Sequence, residues 1–285
     1  MHTRSLRSLV KIAQVGSFTE AANQLGMTLS AISMQMKALE EALGVALFDR
    51  SVRPPRMTPI GRAIVEESVP LLHHEDRLNE ICRTDDGLAG KYRLGFVTTA
   101  AVRLLPAFLL AAKRDAARAA FEIETGLSAA LQNKVITGQL DAAVITDADG
   151  LPGQLSSSLL RREPFVFAAH KRLLENGLPG LLENECFFHF MPDTGIGKLI
   201  ADAMQDQARP AKAETIVLDN LEAIMECVAD GLGYTLLPLP DVERYRSEDV
   251  GILPAPESFE RKLVLVTART GAFARRAAAL TSLMT

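Results

Sequence analysis

The chain has 285 residues, 48% apolar and 23% charged, which is the composition of a folded globular protein and excludes a disordered one. With no Trp, 3 Tyr and 12 Phe, it lacks the aromatic platforms on which single-strand nucleic-acid binders stack bases. The net charge of −4 is uneven: residues 1–62 carry +4 and the rest −8, the asymmetry expected of a module that faces phosphate.

Leu6, Leu9, Val10 and Ala13 recur at helical spacing, and Gly16 stands where that helix would stop. Ser17 to Glu20 fits a capping box opening a short helix over Ala21 to Leu25, ended by Gly26. Thr28 then caps a third helix, in which Leu29, Ile32, Met36, Leu39 and Leu43 form one apolar stripe closed by Gly44. Two helices joined by a short turn, the second amphipathic, describe a helix-turn-helix. Ser30, Met34, Lys37 and Glu41 lie opposite the stripe, flanked by Ser33 and Gln35. Small and amide side chains there allow close approach to base edges. A polar outer face on a three-helix bundle that binds nothing has the same pattern.

Gly16-Ser17-Phe18-Thr19, Ala21-Ala22, Ser30-Ala31-Ile32-Ser33, Lys37-Ala38-Leu39-Glu40, Leu43-Gly44, Leu47-Phe48-Asp49-Arg50 and Thr58-Pro59-Ile60-Gly61 resemble the LysR-type transcriptional regulators over some sixty residues. The resemblance implies an α+β multidomain chain: an N-terminal winged helix-turn-helix, a dimerising linker helix, and a C-terminal two-lobed α/β effector domain of periplasmic-binding-protein type. It places the DNA-binding domain at 1–58, the linker and hinge at 59–88, and the effector domain at 91–285. Lobe I is expected at about 91–162 and 264–285, and lobe II at about 163–263.

Phe48 to Arg50 and Arg56 to Thr58 are then the two strands of a wing turned at Pro54-Pro55. The expected DNA contacts are Thr28, Leu29, Ser30, Ser33, Met34, Gln35 and Lys37 on the recognition helix. Arg50, Arg53 and Arg56 would supply sequence-independent affinity for the backbone. Leu29 stands where the family often has Gln, and Met34 where Arg or Lys is usual; both side chains suit thymine methyls.

Thr58 and Pro59 open the next helix in the order that helices prefer. Ile64, Val65, Val69, Leu71, Leu72, Leu78 and Ile81 give it a stripe through about Cys82, with Pro70 expected to kink it. The partner for that stripe, in the family, is the same helix of a second subunit, so a homodimer or homotetramer is expected. His73 and His74 face different directions on a helix and do not make a metal site. Gly87 to Gly90 reads as a hinge.

From Lys91 the chain alternates: strand Tyr92 to Val97, helix Val102 to Ala112, strand Phe121 to Thr125, helix Ser128 to Thr137, strand Leu140 to Ile145. This βαβαβ order implies a parallel sheet. A second set follows, with strands at Phe165 to Ala169, Cys186 to Phe190, Thr215 to Leu218 and Tyr234 to Leu237, and helices at about Ile196 to Gln207 and Leu221 to Asp230. Lys262 to Thr267 and a helix from about Ala272 to Leu283 are expected to return to the first lobe.

Ligands of open α/β sheets bind beyond the carboxyl ends of strands, where helix amides are free. That selects Thr98, Thr99, Ala100, Thr146, Thr194 and Gly195, a set suited to a small organic acid or similar polar metabolite. Each threonine is equally explained as a helix cap. Arg103, His170 and Lys198 are candidate charge partners, while Asp147 and Asp149 favour a ligand bearing an amine.

Cys82, Cys186 and Cys227 lack metal or redox spacing, which predicts reduced thiols in a cytoplasmic protein without metal or cofactor. Lys11 and Gln14 interrupt the N-terminal apolar stretch, so it does not read as a signal peptide. The longest apolar run, Leu104 to Ala112, is too short to span a bilayer, so no membrane partner is expected. There is no phosphate loop, no HExxH and no GxSxG, so no catalytic residue is assigned. The expected function is a sequence-specific regulator that binds double-stranded DNA under control of a small-molecule effector. The competing reading is a solute-binding protein whose head only oligomerises.

Overall fold

The structure is a computed structural model that describes residues 2–81, 88–148, 150–205, 207, 214–256, 259–270 and 276–285. Cys82, Asp149 and Gly87 of the expected hinge lie outside the described residues; the rest of that hinge is Leu88 and the first two residues of a strand, Ala89 and Gly90. The chain divides into two compact units, Met1–Thr84 with Thr137–Gln139, and Asp85–Ile136 with Leu140–Thr285.

In the first unit α1 (Thr3–Val15) ends at Gly16, whose φ of 69° is the left-handed stop that glycine adopts without strain. Ser17 Oγ accepts from the Glu20 amide at 3.3 Å and caps α2 (Phe18–Gln24). The Glu20 carboxylate accepts from Gln24 Nε2 at 2.7 Å. Thr28 accepts from the Ala31 amide and caps α3 (Leu29–Leu43), which Gly44 closes. Leu6, Leu9, Ile12, Ala21, Ala22, Ile32, Met36, Leu39, Leu47 and Phe48 are each at most 4% exposed and form one core. Each large apolar side chain there contributes about 1.5–3 kcal/mol. Leu29, read as the first member of the stripe, is 49% exposed instead. It is the first residue of α3, and its side chain lies outside that core.

The wing is β1 (Phe48–Asp49) paired antiparallel with β2 (Arg56–Met57), Phe48 opposite Met57. Thr58 Oγ1 accepts from the Gly61 amide and donates to the Ala46 carbonyl, fixing the start of α4 (Pro59–Ile81). A Cβ on Gly61 would lie 2.5 Å from the Leu47 carbonyl oxygen, so α4 reaches the wing only through glycine. Pro70 sits inside α4 without ending it.

The second unit opens with β3 (Ala89–Val97), α5 (Thr98–Asp115), β4 (Arg118–Gly126), α6 (Ser128–Ile136) and β5 (Ala142–Asp147). β3 pairs parallel with both β4 and β5. Then come β6 (Leu155–His170), a 3-10 turn (Lys171–Leu174), α7 (Gly177–Asn184), β7 (Phe187–Phe190), α8 (Gly195–Gln205), β8 (Thr215–Leu218), α9 (Leu221–Ala229), β9 (Tyr234–Pro238), α10 (Leu239–Tyr245), β10 (Val250–Pro254), β11 (Glu260–Ala268) and α11 (Ala277–Met284). The sheet order is β4-β3-β5-β11-β6-β9-β7-β8, with β10 also on β6.

β6 is 16 residues long and serves two lobes. Its first part pairs with β11 as far as Pro164, and from Phe165 it pairs with β9 and β10. One lobe is built on Tyr92, Phe96 and Phe108 and includes α11; the other is built on Phe167, Phe187 and Tyr234. β6 and β11 are the strands that cross between them.

Sequence patterning places β6 only from Phe165, because Leu155 to Pro164 lacks a run of buried apolar residues and is held by its backbone ladder to β11. It misses α7, which contains Gly177, Pro179 and Gly180, and β10, which contains Gly251 and Pro254. It also misses α10, where Pro240 falls in the first turn, a position at which its missing amide costs little. α5 begins at Thr98, four residues before Val102.

Candidate functional sites

The first candidate surface is the outer face of α3 with the wing. Thr28, Leu29, Ser30, Met34 and Lys37 lie on it, Met34 exposed by 70%. The Ser30 hydroxyl lies 3.1 Å from Thr28 Oγ1, and Lys37 Nζ lies 4.0 Å from Glu41 one turn on. Ser33 is half-buried. Gln35 turns toward α1 instead of outward: its Oε1 accepts from Ser8 Oγ at 2.8 Å, tying α3 to α1.

On the wing, Arg53 and Arg56 are exposed. Arg50 Nη2 donates to Glu40 Oε2 at 2.9 Å, while Glu40 Oε1 accepts the Leu47 and Phe48 amides. Glu40 therefore pins the wing to α3, a role that no local pattern reveals. The Ser51 hydroxyl and amide, with a smaller pull from Arg56, hold the Asp49 carboxyl below its ordinary range. This surface offers hydroxyl and apolar groups on a helix, and guanidinium groups on a hairpin. Those are the chemistries that meet base edges and phosphates respectively.

The second candidate is a cavity of about 370 Å³ between the two lobes of the second unit. The first turns of α5, α6, α8 and α9 line it, so four helix N-termini open toward one space. Thr98, Thr99, Thr146, Thr194 and Gly195 are on its wall. Ala100 is not: it lies in the first turn of α5 and is fully buried in the first lobe's core.

The threonines differ in how far the protein itself engages them. Thr194 caps α8, donating to the Met191 carbonyl at 2.8 Å and accepting from the Gly197 amide at 3.2 Å. Thr99 Oγ1 accepts from Arg261 Nη1 at 3.0 Å. The Thr146 amide donates to Ser128 Oγ, but its hydroxyl meets no protein partner among the described residues although the residue is 4% exposed. The turn into α8 is tight: Met191 takes a φ of 45°, and a Cβ on Gly197 would lie 1.9 Å from the Met191 carbonyl oxygen.

Arg103, expected to face a ligand, is consumed by a buried charge ring. Arg261 is fully buried on β11; its Nε donates to Glu163 Oε2 at 2.7 Å, and its Nη1 lies 2.8 Å from Asp241 Oδ2. Arg103 Nη2 lies 2.8 Å from Glu163 Oε1, and its Nε 3.3 Å from Asp241 Oδ1. Burial pushes the Asp241 carboxyl above its ordinary range, against the pull of Arg261 and Arg103. Removing one partner from such a ring costs about 3–5 kcal/mol, because a buried charge is left unpaired. Sequence reasoning misses Glu163, Asp241 and Arg261; the first and last are 98 residues apart and meet only through β6–β11 pairing.

His170 Nδ1 accepts from the Arg172 amide at 3.1 Å and opens the 3-10 turn. Lys198 lines an adjoining pocket of about 150 Å³ with Gln132 and Asp193. Arg244 and Tyr245 of α10, Asp219 just before α9 and Glu222 in its first turn also line the main cavity. Among the described residues no helix is long and apolar enough to cross a membrane, and no group of three or more His, Cys, Asp or Glu is placed to hold a metal.

Comparison with known proteins gives a consistent picture. The family described as bacterial regulatory helix-turn-helix protein, lysR family, matches residues 3–62, and the LysR substrate binding domain matches residues 85–285. A probable hydrogen peroxide-inducible genes activator of Streptomyces viridosporus is 28% identical over 241 residues, covering 82% of this chain and 76% of that protein. The HTH-type transcriptional regulator SoxR of Arthrobacter sp. (strain TE1826) is 23% identical over 274 residues, covering 96% and 92%. Among solved structures, a full-length OxyR variant from Pseudomonas aeruginosa superposes with a TM-score of 0.73 at 23% identity, covering 100% of this chain and 94% of that one. Full-length CbnR complexed with its target DNA gives 0.67 at 18% identity, covering all of both chains.

Proposed function

The chain belongs to the LysR family of bacterial transcriptional regulators, and from that membership we propose which of its residues meet DNA and what its effector domain binds. As a member it is a DNA-binding regulator with an effector-binding domain, and its relatives are regulators rather than enzymes. The head over 1–58 uses Thr28, Leu29, Ser30, Met34 and Lys37 at base edges and phosphates, with Arg53 and Arg56 holding the backbone and Arg50 fixing the wing beside them. Gln35 acts from behind, by holding α3 in place.

The linker over 59–88 joins two copies, as a homodimer or as the dimer unit of a homotetramer. Leu71 and Leu78, one heptad apart on α4, are 44% and 65% exposed and leave an apolar seam for a second α4. A two-fold assembly of this kind presents two heads to two half-sites.

The effector domain over 91–285 takes a small organic acid or similar polar metabolite between its lobes. The observation that carries this is the Thr146 hydroxyl, on a buried residue, unpartnered among the described residues and beside a cavity ringed by helix N-termini. Arg244 is the one cation on that wall among the described residues, and Asp219 and Glu222 on the same wall are opposite in charge. A monoanion with an apolar body suits this lining better than a di- or trianion. Such a ligand acts on DNA only by preferring one assembly state; moving a 1:99 equilibrium to 99:1 takes about 10⁴-fold differential affinity.

DNase footprinting on the DNA upstream of the protein's own gene and its neighbours, with and without small carboxylates, amino acids and aromatic acids, tests the reading. A protected site whose length or bend changes with one compound is expected. No protection anywhere in that DNA counts against it.

A further inference from the structure

The buried charge ring joins both lobes of the second unit. Its four members alternate in sign, and each carboxylate spans both guanidiniums: Glu163 Oε1 and Asp241 Oδ1 face Arg103, and Glu163 Oε2 and Asp241 Oδ2 face Arg261. Arg103 comes from α5 of the first lobe, and Glu163 and Arg261 from the crossing strands. Asp241 alone comes from the second lobe, where its neighbour Val242 is fully buried in the core.

The contacts within the ring differ in quality. Arg261 donates aligned hydrogen bonds to Glu163 and to Thr99. The contacts of Arg103, and both contacts of Asp241, are ion pairs without that alignment: Arg103 Nε and Nη2 and Asp241 Oδ2 are buried with no hydrogen bond. The tie to the second lobe is therefore less directional than the tie between the crossing strands. It is also at the cavity wall, since Thr99 and Asp241 both line the effector cavity. α10, only seven residues long, carries Asp241, Arg244 and Tyr245 to that same wall, with the Arg244 guanidinium 5.6 Å from the Tyr245 ring centre.

We propose that Asp241 is the positioning residue that fixes the spacing of the two lobes, so that a ligand engaging α10 changes that spacing by drawing Asp241 out of the ring. Buried ion pairs are poor sources of net stability but can specify one geometry. A carboxylate that either sits between two guanidiniums or turns to the cavity gives two discrete arrangements rather than a continuum. The proposal rests on the effector reading of the cavity for its ligand, but the lobe spacing is measurable without any ligand.

The test uses the full chain with spin labels at Lys113→Cys on α5 and Glu183→Cys on α7, both exposed and one on each lobe, in a background with Cys82, Cys186 and Cys227 replaced by Ala and diluted with unlabelled protein. Electron–electron distance measurement on the reference protein gives one narrow lobe-to-lobe distance. Asp241→Asn adds a second, longer one. Arg103→Met with Asp241→Leu removes a complete opposite-charge pair, keeps Arg261 on Glu163, and gives the same second distance if the single variant fails to fold. A ring that serves stability alone lowers the melting temperature and leaves the distance unchanged, and that result overturns the proposal. The same variants without any small molecule shift the footprint on the upstream DNA. A changed distance with an unchanged footprint overturns the link from lobe spacing to DNA. Absence of any footprint from the reference protein strikes the regulator's DNA reading instead, and the distance result still decides the role of Asp241.

Discussion

Met34→Arg places a guanidinium on the outer face of α3 at the cost of a side chain that is 70% exposed and packs against nothing in the head core. The core residues of that helix, Ile32, Met36 and Leu39, point the other way, so the melting temperature of the head stays where it was. If the face meets DNA, the new cation adds one phosphate contact and steepens log K against log salt by about 0.9, roughly an extra 3.5-fold in affinity between about 200 and 50 mM salt. Fluorescence anisotropy on a labelled fragment of the footprinted DNA, titrated across that range for both proteins, reads the slope directly. Parallel lines for variant and parent would refute the placement of Met34 on the DNA-facing surface, whatever the absolute affinities.

Gln35→Ala leaves the Ser8 hydroxyl, on a residue 2% exposed, only its longer 3.3 Å bond to the Arg4 carbonyl, and lowers head stability by about 0.5–1.5 kcal/mol; an unchanged melting curve would show that the α1–α3 tie carries no weight. Gly197→Ala drives a Cβ into the Met191 carbonyl and costs about 1–3 kcal/mol or more, seen as loss of the second lobe's protection in hydrogen exchange; full protection in the variant would contradict the tight turn. Glu75 on α4 is held below its ordinary range by the Thr3 hydroxyl and then by Arg7, so its contribution is present above the unfolded carboxyl range and fades as pH falls through the depressed value. The difference in melting temperature between parent and Glu75→Gln therefore closes on acidification; a pH-independent gap contradicts that assignment.

The head was legible because its signals are local. Capping hydroxyls at Ser17, Thr28 and Thr58, and stop glycines at Gly16 and Gly44, each act within one turn of their own helix. The central parallel strands of the first lobe were equally plain, since buried strands read as apolar runs. What patterning missed is set by tertiary partners. The first ten residues of β6 follow their ladder to β11, and Gln35, which looks like a base reader on a helical wheel, is claimed by Ser8. Five of the six residues chosen from the strand-end rule do line the cavity, because that rule depends on backbone topology alone. The charge ring was invisible for the opposite reason, being assembled from four elements with no shared sequence neighbourhood.

The most direct test of ligand control is Thr146→Val in the footprinting assay. The substitution keeps the side-chain shape and removes a hydroxyl that stands at the cavity without a protein partner among the described residues. The variant is predicted to give the parent's ligand-free footprint and to lose the change that the active carboxylate produces in the parent. A variant footprint that still responds at the same ligand concentration would contradict the assignment of this cavity as the site through which a small molecule controls DNA binding.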